Sequence, residues 1–289
     1  MAYLVVVSFI WGFSFVLIKG SLTSLDSNFV SFARLLLSFA VFAPLLRPSR
    51  VRFGDALWLA LVGSVQFGLM YVAYVASFRY LPAHTIVLMT TTTPFFVTVI
   101  QAYYDRRVRR AYVATAGLAV AAGCVLVYPA QALSAGMRGV ALVQLSNVAF
   151  AFGQMAYRRF MERRPSLGDA HAFGYMYAGG ALAAGVFSAA STEYARLTVQ
   201  PHQWLSLLYL GIIASGVCFF LWNLGVRRVH PGTVAVMNNL KIPVGVLASL
   251  VILGETAEYA RLVAGCLLFA AALWLNAHVR APGTEPVRG

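Results

Sequence analysis

Long apolar runs, separated by short charged or Pro/Gly segments, constrain this chain more than any other feature. A helix needs about 20 apolar residues to cross a bilayer. Hydrophobic residues make up 60% of the 289 residues and charged residues only 11%, whereas soluble domains have about 25% charged residues. The pattern therefore predicts an all-α membrane protein with ten transmembrane helices. Their predicted ranges are 2–20, 28–46, 55–78, 83–103, 111–128, 138–157, 171–190, 203–224, 232–253 and 259–278.

Basic residues are distributed unevenly among the connections between these helices. If the N-terminus is cytoplasmic, 15 of the 22 basic residues fall in inside segments and 5 in outside segments. Cytoplasmic loops of membrane proteins are enriched in Lys and Arg. The bias therefore predicts that both termini are cytoplasmic. It also accounts for the net charge of +13 without a nucleic-acid partner.

Two pairs of prolines recur at a fixed distance along the chain. Pro82 and Pro94 are matched by Pro231 and Pro243, each offset by 149 residues. The connection after the fourth predicted helix is basic and its counterpart after the ninth is acidic. This reversal is expected if two copies cross the membrane in opposite directions. The sequence therefore predicts two inverted five-helix repeats. They span residues 1–130 and 131–289.

Short motifs in both halves resemble those of a known transporter family. They are Trp11-Gly12-Phe13-Ser14-Phe15 with Lys19, Phe32-Ala33-Arg34-Leu35-Leu36-Leu37, Thr92-Thr93-Pro94-Phe95 and Leu253-Gly254-Glu255. Together they resemble the EamA-type members of the drug/metabolite transporter superfamily, and most of all the YddG-type amino-acid exporters of bacteria. This resemblance implies ten helices, a central cavity between the repeats, alternating access and a location in the inner membrane.

The chain departs from the family pattern at two positions. Asp105 is followed by arginines where the family usually has Gly-Glu, and Lys241 lies two residues before Pro243 where a glutamate often precedes the proline. All nine acidic residues fall in predicted connections or tails or, for Asp55, at the first position of a predicted helix. Proton relays and cation sites usually need acidic residues within the membrane. The pattern therefore disfavours an exporter of lipophilic cations, and the substrate class stays open.

Polar residues within the predicted helices mark a candidate substrate site. Pro94 and Pro243 each free the carbonyl four residues earlier, that of Thr90 or Asn239, and interrupted helices point to the midplane site of transporters. We expect the substrate to contact residues near these interruptions and on neighbouring helix faces. The candidate site residues are Trp11, Tyr74, His84, Thr90, Thr91, Pro94, Gln144, Asn147, Trp222, Asn238, Asn239, Lys241 and Pro243.

Some of these residues admit two interpretations. Amides such as Gln144 and Asn147 either line a cavity or bond to neighbouring helices. Lys241, near the membrane centre, either bonds to the freed carbonyls as a structural strut or attracts a substrate carboxylate. His84 lies near the outer mouth, where it could respond to pH near neutrality. We interpret Arg34 as a structural residue whose head reaches the membrane interface.

The residues and the resemblance together predict a secondary transporter that exports amino acids or similar small metabolites. Export and amino-acid substrates rest on the resemblance alone. A carrier of anionic or phosphorylated metabolites is the first alternative, which Lys241 and Arg34 would serve, and a non-transporting membrane scaffold is the second. The expected partners are the small-molecule substrate and the lipid bilayer. No enzymatic motif, cofactor, disulfide or metal site is expected, since HExxH, GxSxG and paired cysteines are absent from the sequence.

Overall fold

The computed structural model describes residues 2–104, 133–226 and 231–255, with scattered positions from 260 to 274. Over this part of the chain the secondary structure is entirely helical, without strands. The α-helices are α1 Ala2–Leu17, α2 Ser27–Phe42, α3 Phe53–Gly63, α4 Met70–Ser77, α5 Ala83–Met89, α6 Thr93–Tyr104, α7 Leu133–Glu162, α8 Asp169–Ser191, α9 Pro201–Leu208, α10 Cys218–Val226 and α11 Pro231–Ile252.

Short segments of other helix type join several of these helices into longer rods. π-helical segments extend α1 and connect α3 to α4 and α9 to α10, while a 3₁₀ turn connects α5 to α6. In the described residues, six rods are long and apolar enough to cross a membrane, and Leu240–Ile252 is a shorter apolar helix. The six are Leu4–Leu22, Ser27–Leu45, Phe53–Ser77, Ala83–Tyr104, Gly136–Glu162 and Pro201–Val226.

These helices agree with the predicted ranges to within a few residues. The predicted seventh and ninth spans correspond to helices α8 and α11. Helix α8 is not among the six candidate spans, and α11 contributes only its shorter apolar part, Leu240–Ile252. The predicted fifth span, 111–128, lies outside the described residues, as does most of the tenth, 259–278. The described structure therefore shows an all-helical membrane protein, while the ten-helix count and its inverted symmetry stay predictions.

Asp26 caps the N-terminus of α2 and links three connections at one end of the molecule through hydrogen bonds and an ion pair. Its Oδ1 accepts hydrogen bonds from the Asn28 and Phe29 amides, both at 3.0 Å, as an N-cap residue does. The Thr192 hydroxyl also donates to it at 2.7 Å, and Arg79 pairs with it at 3.3 Å. Burial raises the pKa of Asp26, but these donors and the Arg79 charge outweigh burial and hold the pKa below its usual value.

Glycine permits α3 and α8 to touch through their backbones. A Cβ atom on Gly63 would lie 1.9 Å from the Met176 carbonyl oxygen, and one on Gly179 would lie 1.9 Å from the Ala60 carbonyl oxygen. Small residues are enriched where membrane helices approach closely. Around this contact α8 packs against α2 and α3, while α1 packs against α11 and α7 against α4 and α6. The helices α1, α2, α4, α7, α10 and α11 surround the interior described next.

Candidate functional site

A small cavity of about 80 Å³ lies in the interior of the helix bundle. Its wall combines two basic side chains, several hydroxyl and amide groups, and aromatic rings. Seven helices and the 3₁₀ turn between α5 and α6 contribute these residues. The lining residues are Trp11, Ser14, Phe15, Arg34, Met70, Tyr71, Tyr74, Thr90, Thr93, Ser146, Asn147, Phe150, Phe219 and Lys241. No carboxylate occurs among these described residues, so the cavity carries an excess of positive charge.

Arg34 is the most unusual group in this wall. It is only 2% exposed, and its Nη2 donates to the Tyr71 hydroxyl at 3.2 Å and to the Ser215 hydroxyl at 3.0 Å. Its Nε and Nη1 have no hydrogen-bond partner. The predicted position of the Arg34 head at the membrane interface is therefore wrong, because helix packing directs it inward. A buried charge with unused donors is costly unless an anion reaches it.

The π-helical segment Tyr209–Val217 shapes the wall beside this guanidinium. In a π turn the backbone hydrogen bonds shift register, and such turns often occur at functional sites. Carbonyls of this segment accept bonds from side chains of other helices. Trp11 Nε1 donates to the Ala214 carbonyl at 2.9 Å, and the Tyr177 hydroxyl donates to the Ser215 carbonyl at 2.6 Å. The segment thereby joins α1 and α8 at the level of the cavity.

Lys241 enters the cavity from α11 and is 8% exposed. Its Nζ lies 5.4 Å from the centroid of the Trp11 ring, within the range of a cation–π interaction. The two helices come close because Gly12 has no side chain. A Cβ on Gly12 would lie 2.7 Å from Val244 Cγ1 and 3.2 Å from the Lys241 carbonyl oxygen. The glycine of the Trp11-Gly12 motif therefore sets the distance between α1 and the lysine.

A hydroxyl and amide network forms another part of the wall. Asn147 Nδ2 donates to the Met89 carbonyl at 3.0 Å and to the Thr92 hydroxyl at 2.8 Å, while the Thr93 hydroxyl donates to Asn147 Oδ1 at 3.2 Å. The 3₁₀ turn Thr90–Thr92 lies immediately before Pro94, whose ring removes a backbone donor. The predicted interruption at Pro94 is therefore present, and α7 supplies the side chain that stabilises it.

Five of the thirteen candidate site residues line the cavity. They are Trp11, Tyr74, Thr90, Asn147 and Lys241. Pro243 does not line it and is exposed, because residues two apart on a helix point about 200° away from each other. Helix α11 also continues through Pro243 without a change of helix type. The side chains of Asn238 and Asn239 lie outside the described residues.

Four other candidate residues support the wall from behind. The Thr91 hydroxyl donates to the Leu88 carbonyl at 2.6 Å, and Pro94 is buried. Gln144 Oε1 accepts a hydrogen bond from the Thr92 hydroxyl at 2.8 Å. Trp222 is 1% exposed, and its ring centroid lies 5.0 Å from that of Trp11. These residues hold the lining in place without reaching the cavity.

His84 lies outside the cavity, in a cluster built around Glu255. The Glu255 carboxylate accepts hydrogen bonds from the Ala83 amide at 2.7 Å and the His84 amide at 3.1 Å, and it contacts His84 Nδ1 at 2.8 Å. It therefore caps the N-terminus of α5 from the connection after α11. Burial raises the pKa of Glu255, but these three contacts outweigh burial and hold the pKa below its usual value. The Leu253-Gly254-Glu255 motif thus joins two distant parts of the chain.

Sequence reasoning missed several residues of the wall. Arg34 did give a signal, since it is a basic residue inside a predicted span with no acidic residue in any span to pair with. Tyr71, Phe150 and Phe219 gave none, because aromatic residues in membrane helices are usually packing or interface residues.

Among the described residues, no group of three or more His, Cys, Asp or Glu could hold a metal ion. Cys218 is buried with a free thiol, and Cys124 and Cys266 lie outside the described residues.

Comparison with known proteins places this architecture in a family. The model of the EamA-like transporter family matches residues 1–128 and 137–277. The chain is 34% identical over 287 residues to the "Biotin transporter" of Salmonella typhimurium, which covers 98% of this chain and 94% of that protein. It is also 26% identical over 286 residues to the "Probable amino-acid metabolite efflux pump" of the same organism, covering 96% of this chain and 93% of that protein.

A solved crystal structure has the same fold. It superposes with a TM-score of 0.64 and 18% sequence identity, and the match covers 95% of both chains. The family match and the 34% identical relative each extend over nearly the whole chain. This chain therefore belongs to the EamA-like transporter family and is a multi-pass membrane transporter, not an enzyme.

Proposed function

We propose that this protein is a secondary transporter of the inner membrane that moves a small carboxylate-bearing metabolite, with biotin as the first candidate. The observation that carries this proposal is Arg34, a buried guanidinium in the cavity wall with two nitrogen atoms that have no hydrogen-bond partner. Guanidinium groups bind carboxylates through short, charge-assisted hydrogen bonds. A substrate carboxylate would supply the missing acceptors.

The remainder of the wall suits the other parts of a biotin molecule. Biotin joins its carboxylate to an apolar chain and a ring system that ends in a urea group. Rings such as Phe15, Phe150 and Phe219 offer apolar surface for the chain, and the Asn147 amide offers polar contacts for the urea. The name of the 34% identical Salmonella relative supports the same substrate.

Amino acids are the second candidate, favoured by the 26% identity to the efflux pump. An amino acid carries an ammonium group as well as a carboxylate, and an ammonium group is best matched by an acidic partner. The described lining contains Arg34 and Lys241 but no acidic residue. This charge balance favours a monoanion over a zwitterion. The predicted outward direction of transport stays a proposal.

The size of the cavity bears on the mechanism. Sites for drug-sized ligands usually have about 300–1,000 Å³, whereas this cavity has about 80 Å³. Substrate entry therefore requires helices to separate, as in alternating access. We further propose ten helices in two inverted repeats. Both Phe53–Ser77 and Pro201–Val226, the third helices of the two predicted repeats, carry a π-helical segment near the middle, which supports this symmetry.

Counterflow in proteoliposomes tests the substrate assignment. Vesicles loaded with unlabelled biotin should accumulate labelled biotin, and vesicles loaded with amino acids should accumulate little labelled amino acid. Exchange of amino acids without exchange of biotin would instead establish the second candidate. Exchange of neither, in a folded protein, would contradict both.

Replacement of Arg34 tests the role of the guanidinium. Arg34→Met should lower the affinity for biotin roughly 10–100-fold, because about 1.5–3 kcal/mol is lost with a hydrogen bond to a charged group. Arg34→Lys keeps a positive charge and should lie between wild type and Arg34→Met. Arg196→Met is the matched control, since Arg196 is on the surface and pairs with Glu193. Unchanged affinity in a folded Arg34→Met protein would exclude Arg34 from substrate binding.

A further inference from the structure

A second, basic pocket shares no lining residue with the cavity and lies at the end of the molecule that the sequence predicts to be cytoplasmic. It has a volume of about 580 Å³ and lies between the connection from α2 to α3 and the connection from α7 to α8. Five of its lining residues have basic side chains: Arg50, Arg52, Arg163, Arg164 and His171. Its size falls within the range of sites for small organic ligands, about 300–1,000 Å³.

The charges in this pocket are not balanced. Asp55 is the acidic residue of the described lining, and Arg164 holds it in a two-point ion pair, with Nε–Oδ2 at 3.0 Å and Nη2–Oδ1 at 3.2 Å. The hydrogen bond and the charge of Asp55 raise the pKa of Arg164. Arg50, Arg52 and Arg163 form no ion pair with a described carboxylate. The pocket therefore presents three uncompensated guanidinium groups.

An apolar recess continues directly from the basic pocket. This recess has a volume of about 350 Å³ and shares Asp55, Arg163 and Arg164 with the basic pocket. Trp58 of α3 and Phe160 of α7 complete its wall. One groove thus has a charged part and an aromatic part, which suits a ligand with an anionic group attached to apolar carbon.

Helix α3, which supplies Trp58 to the aromatic part, also has an exposed apolar face. Phe53, Leu57 and Leu61 lie at intervals of four along α3 and are 83%, 50% and 54% exposed. Residues at this spacing form one face of a helix. In a membrane protein such an apolar outer face contacts acyl chains, and tryptophans such as Trp58 favour the headgroup level. The groove therefore lies at the boundary between lipid and water.

We propose that this groove binds the headgroup of an anionic phospholipid of the inner leaflet. The phosphate would contact Arg50, Arg52 and Arg163, and the glycerol and first acyl carbons would lie against Trp58 and Phe160. Guanidinium groups suit phosphate through paired hydrogen bonds, and basic pockets on the cytoplasmic side of membrane proteins bind anionic headgroups. A free phosphate ester would leave the aromatic part unused. This proposal does not depend on the substrate of the transporter.

Thermal unfolding of the full-length protein in detergent tests the site with phosphatidylglycerol, phosphatidylcholine and sn-glycerol 3-phosphate as probes. Phosphatidylglycerol should raise the melting temperature more than phosphatidylcholine, and sn-glycerol 3-phosphate should have little effect. In the double variant Arg52→Gln/Arg163→Gln the gain from phosphatidylglycerol should fall by at least half. Both arginines are exposed, so the double variant should fold.

The matched control removes two basic residues from the same end of the molecule. Arg47 and Arg158 are outside the groove, and Arg47→Gln/Arg158→Gln should keep the full gain. Native mass spectrometry should likewise show fewer retained phosphatidylglycerol molecules on the Arg52/Arg163 variant only. Equal lipid responses in the two double variants would overturn the proposal. An equal gain from sn-glycerol 3-phosphate would replace the lipid by a soluble phosphate ester, which also overturns it.

Discussion

The guanidinium of Arg34 is almost fully buried, and its partners are the hydroxyls of Tyr71 and Ser215 and the face of the Tyr71 ring, whose centroid lies 4.5 Å from Cζ. Neither hydroxyl neutralises a charge, so the positive charge of Arg34 is solvated poorly in the absence of substrate. Such a group binds an arriving carboxylate with little loss of existing hydrogen bonds. Lys241 is placed similarly, since its Nζ lies 5.4 Å from the centroid of the Trp11 ring, and each ring offers partial stabilisation to its cation.

Lys241→Met should lower substrate affinity about tenfold or more while the protein stays folded. Methionine keeps the apolar stem and removes the ammonium group, so the loss reports the charge. Lys19→Met is the control, because Lys19 donates to the Phe78 and Leu81 carbonyls away from the cavity. Equilibrium binding of labelled substrate measures the effect. A changed melting temperature with unchanged affinity would instead assign Lys241 a structural role.

Glu255→Gln should remove a pH-dependent part of the stability. The pKa of Glu255 is lowered in the folded protein, so its contribution is fully present above the unfolded value of about 4.3. It is lost as the pH falls from there through the folded pKa. Melting temperatures of wild type and variant should therefore differ well above the unfolded pKa of about 4.3 and approach each other as the pH falls below it. Glu193→Gln, at an exposed ion pair, should show no such convergence.

Polarity inside a span identified three residues of the cavity wall, and a role for them in substrate binding stays a prediction. Asn147, Thr90 and Lys241 were found in this way, and all line the cavity. Sequence patterns did not identify lining residues where the direction of the side chain decides whether it reaches the cavity. Arg34 lies two turns into α2. From this position alone, the sequence does not show whether its guanidinium reaches water or an internal cavity. The prediction that Pro243 lines the cavity is wrong for a related reason, because a proline in the sequence does not indicate which face of the helix points to the cavity.

At the scale of helices, the backbone contact between α3 and α8 allows a sharp test. Gly63→Ala should destabilise the protein strongly, because its Cβ would lie 1.9 Å from the Met176 carbonyl oxygen and the backbone would have to shift. Overpacking in tight interiors costs about 1–3 kcal/mol or more. Gly54→Ala on the same helix is the control, since no atom lies within 4 Å of its added Cβ. Equal melting temperatures for the two variants would contradict a close α3–α8 contact.

Helix positions followed from the sequence, but helix types did not. Apolar runs and the charged residues between them predicted the ends of α2, α8 and α11 to within a few residues, because a bilayer leaves few alternatives to a helix. The π-helical segment Tyr209–Val217 gave no comparable signal. Its carbonyls are satisfied by Trp11 and Tyr177, residues remote in sequence, so its stability depends on tertiary contacts that no local pattern contains.

At the scale of the whole molecule, the distribution of acidic residues predicts how transport is driven. The described carboxylates all lie outside the cavity lining. Downhill flux of substrate should therefore continue when a protonophore collapses the proton gradient, because alternating access alone suffices for a uniporter. Flux of labelled substrate in proteoliposomes with and without the protonophore measures this. Complete loss of downhill flux would demonstrate obligatory coupling to protons.

The orientation of the molecule rests on the charge bias of its connections. With 15 basic residues in inside segments and 5 in outside segments, a reporter fused after Gly289 should be cytoplasmic. Paired reporters that fluoresce only in the cytoplasm or act only in the periplasm measure this. A periplasmic C-terminus would contradict the ten-helix topology with both termini in the cytoplasm.

The charge of Arg34 also affects which ions can enter the protein when no substrate is bound. An arginine is positive at any physiological pH, and this one stands in the narrow interior of the bundle. Positive charge in a membrane passage excludes protons and metal cations. We therefore expect the substrate-free carrier to leak neither protons nor sodium, so that it can reside in an energised membrane without dissipating the membrane potential.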